Sequence, residues 1–192
     1  MALVGPDTYR KHYFCDWVLG FAETTGAEVR IEAGGQILES PADRSRAAAM
    51  LGRSPLLYGE TIQESLLYRT QGVRKQDLYA LVERLYGPGL RARTSPETPL
   101  LDRGGRPVPT QTLTAREHLE IAQINALLQR TPLLVLDLSS ELMAEAMAEG
   151  FRPCPELVLG AKTVLAILPP NADLFWGEAA LGGSFSSALT FA

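Results

Sequence analysis

The chain has 192 residues, of which 46% are hydrophobic and 21% are charged, and its formal net charge at pH 7 is −4. This length fits one domain, and the composition excludes global disorder. The two cysteines are too few for a disulfide framework. No apolar run approaches the ~20 residues of a membrane span, and the first residues lack the pattern of a secretory signal. We therefore expect a cytoplasmic protein that does not bind membranes.

The first predicted helix runs from Thr8 to about Thr24, with Asp7 as its N-cap. Its larger apolar residues recur at helical spacing, so we expect this set to face the core: Tyr13, Phe14, Trp17, Val18 and Phe21. His12, Cys15 and Asp16 also lie within one helical turn, the spacing of a nucleophile and a base. Because a free cysteine is commonly just a buried apolar residue, we assign no catalytic role to them.

A hairpin and a short helix are predicted next. The alternating stretch 27–33 and the stretch 36–39 are separated by the turn residues Gly34 and Gly35, which is typical of a β-hairpin. Ser40, Pro41 and Asp43 then form the signature of a helix start. We extend this helix through the alanine-rich residues to Leu51.

Residues 60–86 indicate a pair of helices, near 60–70 and 74–86, with Gly72 in the turn between them. The spacing of Gly72, Leu78 and Leu81 is that of a helix-turn-helix, although Tyr68 occupies a position where a small residue should let the helices touch. DNA binding through this segment is therefore one alternative function. Its predicted contacts are basic: Arg69, Arg74, Lys75 and Arg84.

Residues 90–113 are interrupted repeatedly by proline and glycine, so any boundary within the single domain 1–192 is predicted there. A capping box at Thr114 and Glu117 then opens a helix that we expect to reach about Arg130.

The C-terminal third predicts a β-α-β-β unit. Residues 133–136 and 164–168 are continuous apolar runs, as in strands that are covered on both faces. The amphipathic segment between them predicts a helix, which favours a parallel pair of strands. Residues 174–176 are expected to return as an antiparallel strand. The predicted fold class is α+β, with a mixed sheet, several packed helices, and an N-terminal helix followed by the hairpin.

Asp137 is the strongest candidate for a ligand-binding residue. It ends the first buried strand and precedes Ser139 and Ser140 at a helix start, which is the edge where open α/β sheets bind ligands. The alternative is that these three residues only form a turn and a cap. No metal-ligand spacing and no glycine-rich phosphate loop accompanies them, so we expect no metal and no cofactor.

The last residues, 184–192, alternate as in a strand. One face would present Phe185, Leu189 and Phe191, either to the core or to a second copy of the chain. With no convincing set of nucleophile and base, we expect a non-enzymatic adaptor or regulatory module that binds a protein or itself as a homodimer. The alternatives are the DNA-binding protein described above and an enzyme or ligand-binding protein with its site at Asp137.

Overall fold

The structure is a computed structural model. It describes residues 1–22, 31–33, 35–52, 59–86, 99–100, 113–129, 131–153, 163–172, 177 and 188–190. The helices are α1 (Thr8–Val18), α2 (Pro41–Ala47), α3 (Ile62–Leu67), α4 (Lys75–Tyr86), α5 (Ala115–Leu128) and α6 (Glu141–Ala148). The strands are β1 (Ala2–Val4), β2 (Glu32–Ala33), β3 (Gln36–Ile37), β4 (Ala48–Leu51), β5 (Leu133–Asp137), β6 (Thr163–Ile167) and β7 (Ala188–Thr190).

Five strands form one sheet in the order β4-β5-β6-β1-β7, and every pairing within it is parallel. The predicted pair β5 and β6 is confirmed, with Leu133 opposite Thr163 and Asp137 opposite Ile167. All five residues of β5 are buried because strands flank it on both edges and helices cover both faces. The molecule thus combines helices with a small parallel sheet, and β2 and β3 form the predicted antiparallel hairpin.

Alternate residues of the strands supply two cores on opposite faces of the sheet. Leu134 and Leu136 pack on the face that is covered by α5 and α6. Leu133 and Val135 pack on the other face, which is covered by α1. A third cluster joins α3 and α4 to α5 and contains Ile62, Leu66, Leu78, Val82, Ile121 and Ile124.

One prediction about local structure is wrong, and one strand has no counterpart among the predictions. The predicted helix from Pro41 ends at Ala47, and Ala48–Leu51 is a strand that pairs with β5. The sequence carries no strand pattern at Ala2–Val4, yet β1 lies between β6 and β7. The expected antiparallel strand at 174–176 lies outside the described residues, so the described main sheet is parallel instead of mixed. Most of the predicted boundary at 90–113 also lies outside the described part of the chain.

The buried face of α1 agrees only in part with the sequence prediction. Trp17 and Val18 are buried as expected, but Tyr13 is 45% exposed and Phe21, beyond the helix, is 68% exposed. The buried face instead includes Lys11, which is 0% exposed. Within the described residues, none of the helices is long and apolar enough to cross a membrane.

His118 in α5 gives the fold a predicted pH dependence. Burial lowers the pKa of the His118 imidazole from the ordinary value of 6.5, and the nearby Glu117 carboxylate opposes this shift. As the pH falls through that value, the unfolded chain binds the proton more readily than the folded chain, so the free energy of unfolding decreases. We expect His118→Gln to lose less stability than the wild type between about pH 7.5 and about pH 5. Urea denaturation at each pH measures this, and equal losses would contradict it.

Candidate functional site

Asp137 lies at the carboxyl end of β5 and is 0% exposed. Its Oδ1 accepts hydrogen bonds from the Ser139 backbone N–H at 3.0 Å and from the Ser139 hydroxyl at 2.6 Å. The sequence prediction that Asp137 and Ser139 lie together at this edge of the sheet is therefore consistent with their geometry. Whether they bind a ligand stays a prediction.

Ser140 has a different role from its neighbour. Its Oγ accepts from the Met143 backbone N–H at 3.1 Å, which makes Ser140 the N-cap of α6. The same hydroxyl donates to the Gly52 carbonyl at 2.6 Å and so joins the ends of β4 and β5. Ser140 therefore caps α6 and links β4 to β5, and ligand binding by Ser140 stays a prediction.

Lys11 and His12 enter the same site from α1, and sequence reasoning assigned neither of them a role there. The Lys11 Nζ donates to the Gly5 carbonyl and to the Leu168 carbonyl, both at 2.7 Å. It thereby bridges the loop after β1 and the end of β6. Burial lowers the pKa of Lys11, and the carboxylates of Asp137 and Asp7 oppose this shift.

His12 contacts both polar groups at the end of β5. Its Nε2 lies 2.9 Å from Asp137 Oδ2 and 3.2 Å from Ser139 Oγ. The buried Asp137 Oδ2 has no hydrogen-bond partner among the described residues, so its close approach to His12 is an electrostatic contact when the ring is protonated. In a serine-histidine-aspartate relay the two partners bind opposite ring nitrogens. Here both face Nε2, so the three residues do not form such a relay.

The N-terminus of α1 holds a carboxylate from its own chain. Asp7 Oδ1 accepts from the Arg10 backbone N–H at 2.9 Å, and Oδ2 lies 3.1 Å from Arg10 Nε. A helix N-terminus favours an anion because its free N–H groups carry partial positive charge. At α1 the Asp7 carboxylate occupies this position.

The strand, loop and helix at residues 2–18 have the layout of a phosphate-binding loop with altered residues. Such a loop connects a strand to a helix. Its sequence is a glycine, any four residues, a second glycine, a lysine, and then a serine or threonine. Gly5 and Lys11 have the matching spacing, but Arg10 replaces the second glycine and His12 replaces the hydroxyl residue. This spacing is the signal in the sequence that would have identified Lys11.

A second helix N-terminus, that of α5, is also occupied by carboxylates. Glu117 accepts from the Thr114 backbone N–H at 2.9 Å within the predicted capping box, which is confirmed. Glu149, the C-cap of α6, accepts from the Arg116 backbone N–H, also at 2.9 Å. The Arg116 side chain pairs with Glu120 at 2.6 Å, while burial raises the pKa of the Glu120 carboxyl. The contact between Glu149 and Arg116 joins α5 to the end of α6.

The predicted DNA-binding segment forms two helices, α3 and α4, that pack on α5. Arg69 has a φ of 57° and donates to the Ser45 carbonyl at 2.9 Å. Arg74 forms two contacts with Asp77, at 2.9 and 3.0 Å. Lys75 and Arg84 are exposed on α4. DNA contact by these residues stays a prediction.

The predicted C-terminal interface falls largely outside the described residues. Phe185 and Phe191 are not described, whereas Leu189 belongs to β7 and lies opposite Leu3 of β1. Self-association through this face stays a prediction. As for metals, the described ranges contain no group of three or more His, Cys, Asp or Glu residues that could hold an ion.

Comparisons with known proteins provide information on the fold. No family model matches the sequence, and no curated protein matches it. Among solved structures, a bacterial Atm1-family ABC exporter with ATP bound is similar, with a TM-score of 0.59 and 19% sequence identity. The match covers 86% of this chain and 29% of the exporter chain. The chain therefore shares a fold with a part of that exporter and spans less than a third of its length.

Proposed function

We propose that the chain is a non-enzymatic adaptor or regulatory module that binds a protein, either another chain or a second copy of itself. The observation that carries the non-enzymatic part of the proposal is that Lys11 is hydrogen-bonded within its own chain. In a phosphate-binding loop the lysine reaches the phosphates of the nucleotide. Here the Lys11 ammonium is fully buried and donates to two carbonyls of its own chain.

The residues around Lys11 also argue against nucleotide binding at this site. The Asp7 carboxylate already occupies the N-terminus of α1, where it would repel an incoming phosphate. Arg10 stands where a glycine would let the backbone approach the phosphates closely. The exporter with the similar fold was solved with ATP bound, and we propose that this chain keeps the scaffold without that ligand.

The groups at the end of β5 also offer little for catalysis. Asp137 is a buried carboxylate whose contacts among the described residues are with His12 and Ser139, and the next residue, Leu138, is apolar and 2% exposed. General acid-base chemistry with two carboxylates needs a second acid in reach of the first. We propose that Asp137 serves to hold α1 against β5 through His12 and Lys11.

Calorimetric titration of ATP with Mg²⁺ into the protein tests the absence of nucleotide binding. We expect no saturable binding below about 1 mM ATP and no phosphate release above that of the buffer. The informative variants are Lys11→Met and the exposed Lys75→Met as its matched control. Saturable ATP binding by the wild type would overturn the proposal. Because Lys11→Met is itself expected to destabilise the fold, a loss of binding in that variant would place Lys11 on the phosphates only if circular dichroism shows that it is folded and if Lys75→Met retains binding.

A further inference from the structure

His12 lies between solvent and a buried carboxylate. Its side chain is 22% exposed, whereas that of Asp137 is 0% exposed. The ring Nε2 is 2.9 Å from Asp137 Oδ2, an oxygen that has no hydrogen-bond partner among the described residues. Solvent can therefore deliver a proton to the ring, while the carboxylate beside it is shielded from water.

The hydrogen bonds at this contact determine which ring nitrogen carries a hydrogen. The Ser139 hydroxyl has a single hydrogen, which it donates to Asp137 Oδ1 at 2.6 Å. Ser139 Oγ, 3.2 Å from Nε2, is therefore left as an acceptor, and the ionised Asp137 Oδ2 is an acceptor as well. Because both oxygens that face Nε2 are acceptors, the neutral ring carries its hydrogen on Nε2. Nδ1 is then the nitrogen that takes up the second proton.

We propose that His12, Ser139 and Asp137 form a pH-sensitive switch that holds α1 against the carboxyl end of β5. With the ring neutral, the connection is the hydrogen bond from Nε2 to Ser139 Oγ. With the ring protonated, that hydrogen bond is kept, and the ring also carries a positive charge beside the buried carboxylate. Opposite charges attract more strongly where water is excluded, so protonation tightens the connection. The switch goes beyond the proposed protein binding and does not depend on it.

Other charged groups occur on the elements that meet at His12. They belong to α1 and its N-cap, to β5 and to the start of α6: Asp7, Arg10, Lys11, Asp16, Asp137 and Glu141. Asp7 pairs with Arg10 at 3.1 Å, and Glu141 is exposed. Lys11 interacts electrostatically with Asp137 and Asp7. Among the side-chain types present here, histidine is the one that ordinarily changes its charge between about pH 5 and about pH 8.

The position of His12 in α1 gives the switch its effect. The preceding residue, Lys11, donates to the carbonyls of Gly5 and Leu168, after β1 and β6. His12 connects the same turn of α1 to the end of β5. The two side chains thus attach α1 to three neighbouring strands of the sheet. As the pH rises and the ring loses its second proton, the attachment to β5 weakens, so local opening of α1 becomes more frequent.

Hydrogen exchange measured by NMR tests the switch. The chain has two histidines, so the His118→Gln variant keeps His12 as its single imidazole. In this variant we expect the open form of α1 to be about tenfold less populated at about pH 5.5 than at about pH 8, after correction for intrinsic exchange rates. Adding His12→Gln, whose amide can still donate to Ser139 but takes up no proton, is expected to abolish the difference.

The amides of α5 are the internal control, because this helix covers the opposite face of the sheet. They are expected to show the same pH dependence with and without His12. Circular dichroism checks that each variant is folded.

The tautomer of His12 provides a second test, which needs no substitution at His12 itself. The imidazole ¹⁵N chemical shifts of His118→Gln at alkaline pH show which nitrogen carries the hydrogen, and we expect Nε2. A ring with its hydrogen on Nδ1 would overturn the inference, as would α1 amides whose exchange has the same pH dependence with and without His12. Neither measurement requires ATP or a partner, so the switch and the proposed function fail separately.

Discussion

Replacing Gly52 with alanine is expected to reduce the free energy of unfolding by at least about 3 kcal/mol. Gly52 has a φ of +111°, a conformation that residues with a side chain rarely adopt. A Cβ there would lie 2.4 Å from the Asp137 carbonyl oxygen and 3.1 Å from the Met143 methyl group. The carbonyl belongs to the central strand and cannot move away without disrupting the sheet. Urea denaturation of Gly52→Ala measures the loss.

Gly72→Ala is the matched control. Gly72 also has a positive φ, of +69°, but a Cβ at this position would meet no atom within 4 Å. The control therefore carries only the backbone strain, about 1 kcal/mol. If both variants lost the same stability, the close approach of Gly52 to Asp137 would contribute nothing to the loss. The end of β4 would then not pack against the Asp137 carbonyl as described.

The central strand pair was predictable because its signal is local. The apolar run at Leu133–Leu136 has no polar break, and a buried strand in the middle of a sheet requires nothing else. The caps at Ser40 and Thr114 were predictable for the same reason, since each capping box spans four residues.

The edge of the sheet was less predictable because it depends on distant partners. Residues 47–49 are alanines, which favour a helix by propensity, yet residues 48–51 form a strand because they pair with β5. Strand β1 has only three residues, too few for an alternating pattern to be recognised. Its pairing with β6 and β7 decides its structure.

Only the part of the site that is contiguous in sequence was predictable. Asp137 and Ser139 are two residues apart, whereas the Lys11 contact with Leu168 spans 157 residues and the His12 contact with Ser139 spans 127. Hydrophobic patterning placed Trp17 and Val18 correctly, but it also placed the exposed Tyr13 in the core and did not indicate that Lys11 is buried, because aromatic residues are normally buried and lysine is normally exposed. The carbonyls that satisfy Lys11 are visible only once the fold has assembled.

Lys11→Met is expected to cost about 2–4 kcal/mol of unfolding free energy. Methionine fills a similar volume but donates no hydrogen bond, so the Gly5 and Leu168 carbonyls lose their 2.7 Å partner. The substitution also leaves Asp137 fully buried without the ammonium group that interacts with it electrostatically. Thermal and urea denaturation measure the loss, and the exposed Lys75→Met is expected to change stability by less than about 0.5 kcal/mol.

The double variant Lys11→Met/Asp137→Asn separates the two causes. If the uncompensated carboxylate contributes most of the cost, the two substitutions together will destabilise the protein less than the sum of their separate effects. If the unsatisfied carbonyls dominate, the effects will add, because Asp137→Asn restores no donor to Gly5 or Leu168. A Lys11→Met variant as stable as the wild type would contradict both. It would mean that the ammonium does not hold β1 and β6 together, and the observation that carries the proposed function would be lost with it.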